Sequence, residues 1–284
     1  MLSGVFHFVL PELSEHFVIR DLLRSFRLSR PPVSRVPPWD LLRVLSSLRL
    51  APYEPLSSAS LRSLTMKTLF LLALATARRV GELQAVSASV SFAGEDVFLS
   101  YLPEFRAKSE SAARPLPRSF PVRSLRDFVG DLPEELLLCP VRSLRLYLER
   151  TSSLSPRPRS LFVSPRCPSR PLSKNALSFF IRAVIAGASA SSSSSSSRSP
   201  VPSSSGPSSS GGSRAGASRF RAHGVRAVAA STAFARNTSL SAVLEAASWA
   251  SSSVFTSFYL RDVQFSSPSG FSLGPVVAAG AVVR

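Results

Sequence analysis

SSASLRSLTMKTLFLLALATARRVGELQAVS (residues 57–87) opens polar, turns apolar through Leu69–Ala75 and closes on charge. A helix that is apolar on most sides belongs in a core. The stretch therefore reads as a strongly buried helix, a turn, and a second helix carrying "RRVGEL". The apolar run "LFLLALA" covers only one or two helical turns, as does "VVAAGAVV" (Val276–Val283). Neither approaches the ~20 residues that a membrane-crossing helix needs. The N-terminal "MLSGVFHFVLPEL" lacks a basic start and is interrupted by a histidine and a proline, so it does not read as a signal peptide.

Working outward, "SEHFVIRDLLRSFRL" has helical spacing, and "SRPPVSRVPP" then reads as an extended linker because successive prolines block helix. "WDLLRVLSSLRL" starts a new helix, with Asp40 in its first turn. Beyond the central stretch, "EDVFLSYLP" alternates like a strand at Val97, Leu99 and Tyr101. "EFRAKSESAARPLPRSFPVRS" could supply two more short strands around a turn. "CPVRSLRLYLERT" is helical, with proline near its first turn. "SLFVS" is a short buried extended segment. "LSKNALSFFIRAVIAGA" is a helix with Ser173 as its cap. Residues 189–218 are low-complexity serine, glycine and proline, expected to be a disordered insertion in a loop. Helical patterning resumes at "RFRAHGVRAVAASTAFA" and continues through "SLSAVLEAASWAS" and "SSVFTSFYLRDV". The expected fold class is α+β, mainly α-helical, with a small three-stranded antiparallel sheet near residues 96–123.

A hydrophobic content of 44% over 284 residues suits a globular protein with a sizeable core. A net charge of +17 favours an anionic polymer as partner, most often nucleic acid. A membrane surface is the weaker alternative, because no suitable basic amphipathic helix stands out. The two cysteines, Cys139 and Cys167, have neither metal-ligand spacing nor a disulfide framework, so a reducing, intracellular setting is expected. Arginine supplies 31 of the 34 basic residues; lysine occurs only at Lys67, Lys108 and Lys174. An arginine at any one place therefore says little, and a retained lysine says more.

Singly, the small motifs are weak. "HGVR" (His223–Arg226) puts a histidine and an arginine on one helix face, a common pair in an arginine-rich chain. "RRVGEL" also suits a solvated helix start, Lys108 a plain turn, Trp249 a core, and Tyr259 a half-buried helix. Their order is more specific. "ATARRVGEL", "FRAKSE", "HGVR" and "ASWASSSVFTSFY" follow one another, with Lys108 29 residues after Arg79, Trp249 23 after Arg226, and Tyr259 10 after Trp249. The gap of 144 from Arg79 to His223 is long, and the serine-rich segment accounts for the excess.

This series resembles the tyrosine recombinase (phage-integrase-like) catalytic domain. That family uses an arginine in a T-G-x-R-x-x-E-L context, a lysine on a β-turn, H-x-x-R, a histidine or tryptophan, and a tyrosine nucleophile. The phrases "WDLL…LTMKTLFLLALA", "CPVRSLRLYLERT", "VRAVAAS" and "FYLRDV" look like recombinases of DIRS-type and related retrotransposons. The resemblance runs from about Trp39 to the C-terminus. It implies a recombinase catalytic domain over residues 38–284, preceded by residues 1–37 as a remnant of an N-terminal DNA-binding region and its linker.

The resemblance implies a DNA recombinase or integrase that cuts and rejoins DNA through a 3′-phosphotyrosyl bond, with type IB topoisomerase-like chemistry. Tyr259 is the implied nucleophile. Arg79 and Arg226 are the implied clamp on the scissile phosphate, where fixed guanidinium forks suit the charge of the transition state. Arg78 competes for the first role, but Glu82 falls three residues after Arg79 and favours that register. His223 is the implied proton acceptor and Lys108 the implied donor to the leaving 5′-oxygen. Trp249 stands where many relatives have histidine; its indole N–H can donate to the phosphate. Glu82 holds an arginine or histidine in place. No cofactor and no metal is implied. The implied partner is double-stranded DNA, bound by a homo-oligomer (a tetramer on DNA), with no membrane and no small-molecule substrate. A eukaryotic source implies the nucleus. The alternatives are a catalytically inactive DNA-binding descendant, and an arginine/serine-rich RNA-associated protein, which the long buried helices argue against.

Overall fold

The computed structural model describes residues 16–28, 35–107, 110, 115, 117–126, 133–190, 220–236, 238–249 and 251–263. Lys108, nearly all of the serine-rich segment and the apolar tail lie outside these residues. The chain divides into two compact units between Arg35 and Val36. The first contains helix α1 (Phe17–Leu28), in agreement with the helical spacing of its sequence.

The second unit is mixed α+β. About half of the described residues are helical, and strands β1 (Val86–Ala93), β2 (Asp96–Tyr101) and β3 (Ser119–Val122) form one antiparallel sheet in the order β1-β2-β3. Helix α2 (Leu41–Leu48) starts one residue later than its sequence suggests. Asp40 is its cap rather than part of its first turn, accepting from the backbone N–H groups of Leu42 and Arg43. Leu41, Val44, Leu45 and Leu48 form its buried stripe.

Helix α3 (Leu61–Thr76) is buried on every side, from Ser63 to Thr76. It is the axis of the unit. Helices α6 (Pro140–Ser152), α7 (Lys174–Ala190) and α8 (His223–Ala235) all pack on it, and so does strand β3 (Ser119–Val122). Its polar side chains are accommodated individually: Thr65 and Thr76 donate to the carbonyls of Leu61 and Leu72. Ser173 accepts from the N–H of Ala176, capping α7 as its sequence suggests.

The second helix of the central stretch is shorter than expected. Helix α4 (Val80–Gln84) has five residues, and β1 (Val86–Ala93) follows at once. The sheet thus begins ten residues before the expected 96–123 span. Strand β2 (Asp96–Tyr101) alternates as expected and pairs Leu99 with Val90 on one side and with Phe120 on the other. β1 was not legible because "VSASVSFA" is rich in serine and alanine, which have little strand preference. Pairing with β2, not side-chain pattern, makes it a strand. Val86, Val97, Leu99, Tyr101, Phe120 and Val122 form the buried sheet face against the helical core.

Helix α5 (Pro133–Leu136) is a single turn before α6. "SLFVS" is extended, held by isolated bridges from Ser160 to Ser87 and from Val163 to Pro171. After α8 come α9 (Leu240–Ala246) and α10 (Ser252–Val254), which passes into a π-helical turn, Phe255–Tyr259. Among the described residues no helix is long and apolar enough to cross a membrane.

Candidate active site

Helix α3 ends on Ala77, whose φ of 48° is left-handed. A side chain at such an angle is strained by roughly 1–2 kcal/mol. The turn sends two consecutive arginines in different directions. Arg78 is buried, its guanidinium 4.6 Å above the Phe120 ring, and it donates to Ser248 Oγ at 2.8 Å. Ser248 is itself left-handed, with φ 51°. Arg79 faces an open cleft. Of the two arginines that compete on sequence, Arg79 is the one exposed to a ligand.

Glu82, one turn into α4, is only 3% exposed. Its carboxylate accepts from the Arg79 backbone N–H at 3.1 Å and from Arg79 Nη1 at 2.8 Å. Its Oε2 also lies 3.8 Å from Arg226 Nη1. One buried carboxylate thus fixes both expected clamp arginines, although 147 residues separate them (226 − 79).

Arg226 comes from the first turn of α8 and is 2% exposed. Its Nη1 donates to the Ala77 carbonyl at 3.0 Å and its Nη2 to the Ala247 carbonyl. The strained turn at Ala77 and the end of α9 are therefore tied to one guanidinium. Burial, followed by the positive charge of Arg79, lowers the Arg226 pKa to about 10, against the pull of Glu82. It stays cationic at neutral pH. Arg226 does not line the cleft; it lies behind it, 4.5 Å from the Trp249 ring centre and 5.6 Å from that of Tyr259.

Trp249 is buried. Its ring packs 4.6 Å from Tyr259 and 5.3 Å from Phe255, between centroids. The indole floors the tyrosine instead of lining the cleft, which differs from its implied role as a donor to phosphate.

Tyr259 ends the π-helical turn. Its hydroxyl lies 2.6 Å from Nε2 of His223, the first residue of α8. The two rings meet at 59° with centroids 5.2 Å apart. His223 keeps an open face to the cleft. Its partial burial, followed by the charges of Arg226 and Arg79, pushes its pKa below the ordinary imidazole value. At neutral pH it is uncharged and able to accept the phenolic proton.

Ser231, two turns further along α8, was not singled out by sequence. Its hydroxyl donates to the Tyr259 carbonyl at 3.2 Å and accepts from the Arg261 N–H at 2.8 Å. The helix that carries His223 thereby also grips the backbone on both sides of the tyrosine. Single turns of the π type are rare and recur at functional sites.

The cleft has a volume of about 1130 Å³. Arg79, His223 and Tyr259 line it, together with Lys174, Arg182 and Arg221. Of the implied site residues, Arg79, His223 and Tyr259 meet at the cleft wall, Glu82 is paired at its edge, and Arg226 and Trp249 support it from behind. Lys108 is outside the described residues. Among the described residues no group of three or more histidine, cysteine or acidic side chains could hold a metal ion. The arrangement can deprotonate a phenol beside fixed positive charge, which is a nucleophile facing an anion site. The chain matches no protein-family model and no curated protein.

Proposed function

We propose that this chain is a DNA strand transferase of the tyrosine recombinase kind, acting in DNA recombination or integration of a mobile element. The observation that carries the reading is the 2.6 Å approach of His223 Nε2 to the Tyr259 hydroxyl on the wall of a basic cleft. A phenol has an ordinary pKa of ~10 and is a weak nucleophile at neutral pH. An uncharged imidazole in contact with it removes that limitation.

In the proposed step the Tyr259 oxygen forms a bond to phosphorus while its proton passes to His223 Nε2. The bond from phosphorus to the 5′-oxygen breaks, and that oxygen takes a proton from a lysine, Lys108 by resemblance. The product is a 3′-phosphotyrosyl ester and a free 5′-hydroxyl. Attack by a 5′-hydroxyl reverses the step and rejoins DNA, so no nucleotide cofactor is consumed. Arg79 stabilises the non-bridging oxygens directly. Arg226, held by Glu82, contributes charge from behind the ring. The recombinase catalytic fold, duplex DNA as partner and assembly as a tetramer on DNA belong to the same proposal.

The test is a nicked duplex from which the short fragment bearing the new 5′-hydroxyl diffuses away, trapping the ester. The substrate set must include the ends of the element that encodes the chain. A denaturant-stable protein–DNA adduct is expected with the parent chain and none with Tyr259→Phe. An equal adduct from Tyr259→Phe overturns the nucleophile assignment. DNA binding without an adduct on any such substrate points to the inactive DNA-binding descendant.

A further inference from the structure

We propose that Lys174, Arg182 and Arg221 form a second anion site in the cleft, which holds the phosphates of one DNA strand beside the one attacked. The inference rests on the strand-transfer reading and adds to it the path of the DNA backbone. Lys174, Ser178 and Arg182 recur every four residues along α7, so they share one helix face. All three line the cleft that Tyr259 and His223 line, and Arg221 joins them from the residues preceding α8.

Three features make this face an anion site rather than a solvated helix surface. Glu82 is the only carboxylate among the described residues that line the cleft, and it is occupied by Arg79 and Arg226. Lys174, Arg182 and Arg221 form no ion pair among the described residues, whereas Lys67, Arg79, Arg118, Arg123, Arg142 and Arg226 all do. The site is also held close to the clamp. A Cβ on Gly81 would stand 3.9 Å from Lys174 Cε, so the lysine stem passes over the very turn that presents Arg79.

The dimensions fit a strand. Lys174 and Arg182 are eight residues apart, about 12 Å along the helix axis. At about 3.4 Å of rise along the duplex axis per phosphate of one strand, a protein helix lying along that axis spans three to four phosphates. Lys174 is also one of only three lysines in a chain that otherwise uses arginine. A compact ammonium on a long stem suits a single phosphate oxygen approached at varying angles.

The test separates this site from catalysis by working in the Tyr259→Phe chain, where no ester can form. Binding to a fluorescent duplex is measured from low to moderate salt. Each phosphate contact contributes about 0.9 to the slope of log affinity against log salt. Lys174→Ala with Arg182→Ala is expected to flatten the slope by about two contacts. Arg145→Ala, whose guanidinium rests on Phe92 of the sheet, is expected to leave it unchanged. Uncharged methylphosphonates placed beside the scissile position should weaken the parent and leave the double variant unaffected. An unchanged slope in the double variant, an equal loss in Arg145→Ala, or no duplex binding by the parent overturns the proposal. A flattened slope, together with no adduct from the chain that retains Tyr259, leaves the anion site standing and removes the strand-transfer reading.

Discussion

Nε2 of His223 stands 2.6 Å from the hydroxyl of Tyr259, although 36 positions separate them along the chain. The contact makes a pH prediction with a definite sign. A protonated imidazole carries hydrogen on both nitrogens and cannot accept the phenolic proton. Burial, then Arg226 and Arg79, hold the His223 pKa below its ordinary value of about 6.5. The single-turnover rate of adduct formation should therefore be level just above pH 6.5 and decline only on the acid side of it. His223→Gln should be slow throughout and lose that acid limb. A limb centred above pH 6.5, or one retained in His223→Gln, assigns the titration to another group. The lowered pKa also has a stability consequence. The unfolded chain takes up the proton first as pH falls through 6.5, so the folded state loses stability from there down to the lowered pKa.

The grip of Ser231 on the tyrosine backbone gives a second expectation. Ser231→Ala removes a donor to the Tyr259 carbonyl and the acceptor for the Arg261 N–H. Both groups sit at the end of the π-helical turn, near solvent, so much of the lost hydrogen bonding can be recovered from water. The aim of the phenol is not recovered in that way. Misplacing a reacting group by about 1 Å can cost on the order of 100-fold. Adduct formation by Ser231→Ala should slow by about 10- to 100-fold while duplex affinity in the Tyr259→Phe background stays within about twofold. Equal losses in rate and affinity would mean that Ser231 serves only the fold.

Much of this geometry was readable from the chain because it rests on periodicity. The burial of α3 follows from an apolar run longer than one face, and Ser173 caps α7 as its sequence suggests. Residue order, read through its family resemblance, suggested Arg79, Lys108, His223, Arg226, Trp249 and Tyr259 as a group, with Glu82 in support. What could not be read depends on contacts between distant segments. β1 has no strand pattern of its own and exists through its register with Phe98 and Leu99. Arg78 and Arg79 are adjacent and identical in type, and only the left-handed turn at Ala77 separates a buried arginine from a cleft arginine. Arg226 lies behind the tyrosine because Ala77 and Ala247 offer carbonyls there, and Trp249 packs its ring against Arg226 and Tyr259, which no spacing rule encodes. Lys67 shows the converse. A retained lysine invites a functional reading, yet its ammonium is wholly buried in a structural cluster.

That cluster carries the third prediction. Lys67 Nζ, 0% exposed, donates to the Leu48 carbonyl at 2.8 Å and to the Glu54 carboxylate. Arg142 adds two bonds to the same carboxylate, at 2.7 and 3.2 Å. The end of α2, the loop before α3, α3 itself and α6 meet at these groups. Burial alone would raise the Glu54 pKa, but the bonds from Arg142 and Lys67 outweigh it and hold the carboxyl low. Burial dominates at Lys67 and lowers its pKa to about 8. Removing the anion should therefore hurt more than removing the cation. Glu54→Leu leaves a buried ammonium with no carboxylate, a defect of about 3–5 kcal/mol. Lys67→Met leaves Glu54 still paired with Arg142 and should cost clearly less. The pH dependence identifies the group. Between about pH 8 and 10.5 the unfolded chain holds the Lys67 proton and the folded chain releases it, so stability rises with pH across that window. From pH 7 to 9 the gain is about 1 kcal/mol, since a tenfold change in proton affinity corresponds to about 1.4 kcal/mol. Urea unfolding at the two pH values should show this rise in the parent chain and not in Lys67→Met. A rise that survives in Lys67→Met belongs to another residue, and a Lys67→Met chain less stable than Glu54→Leu would reverse the assignment of which partner the cluster needs most.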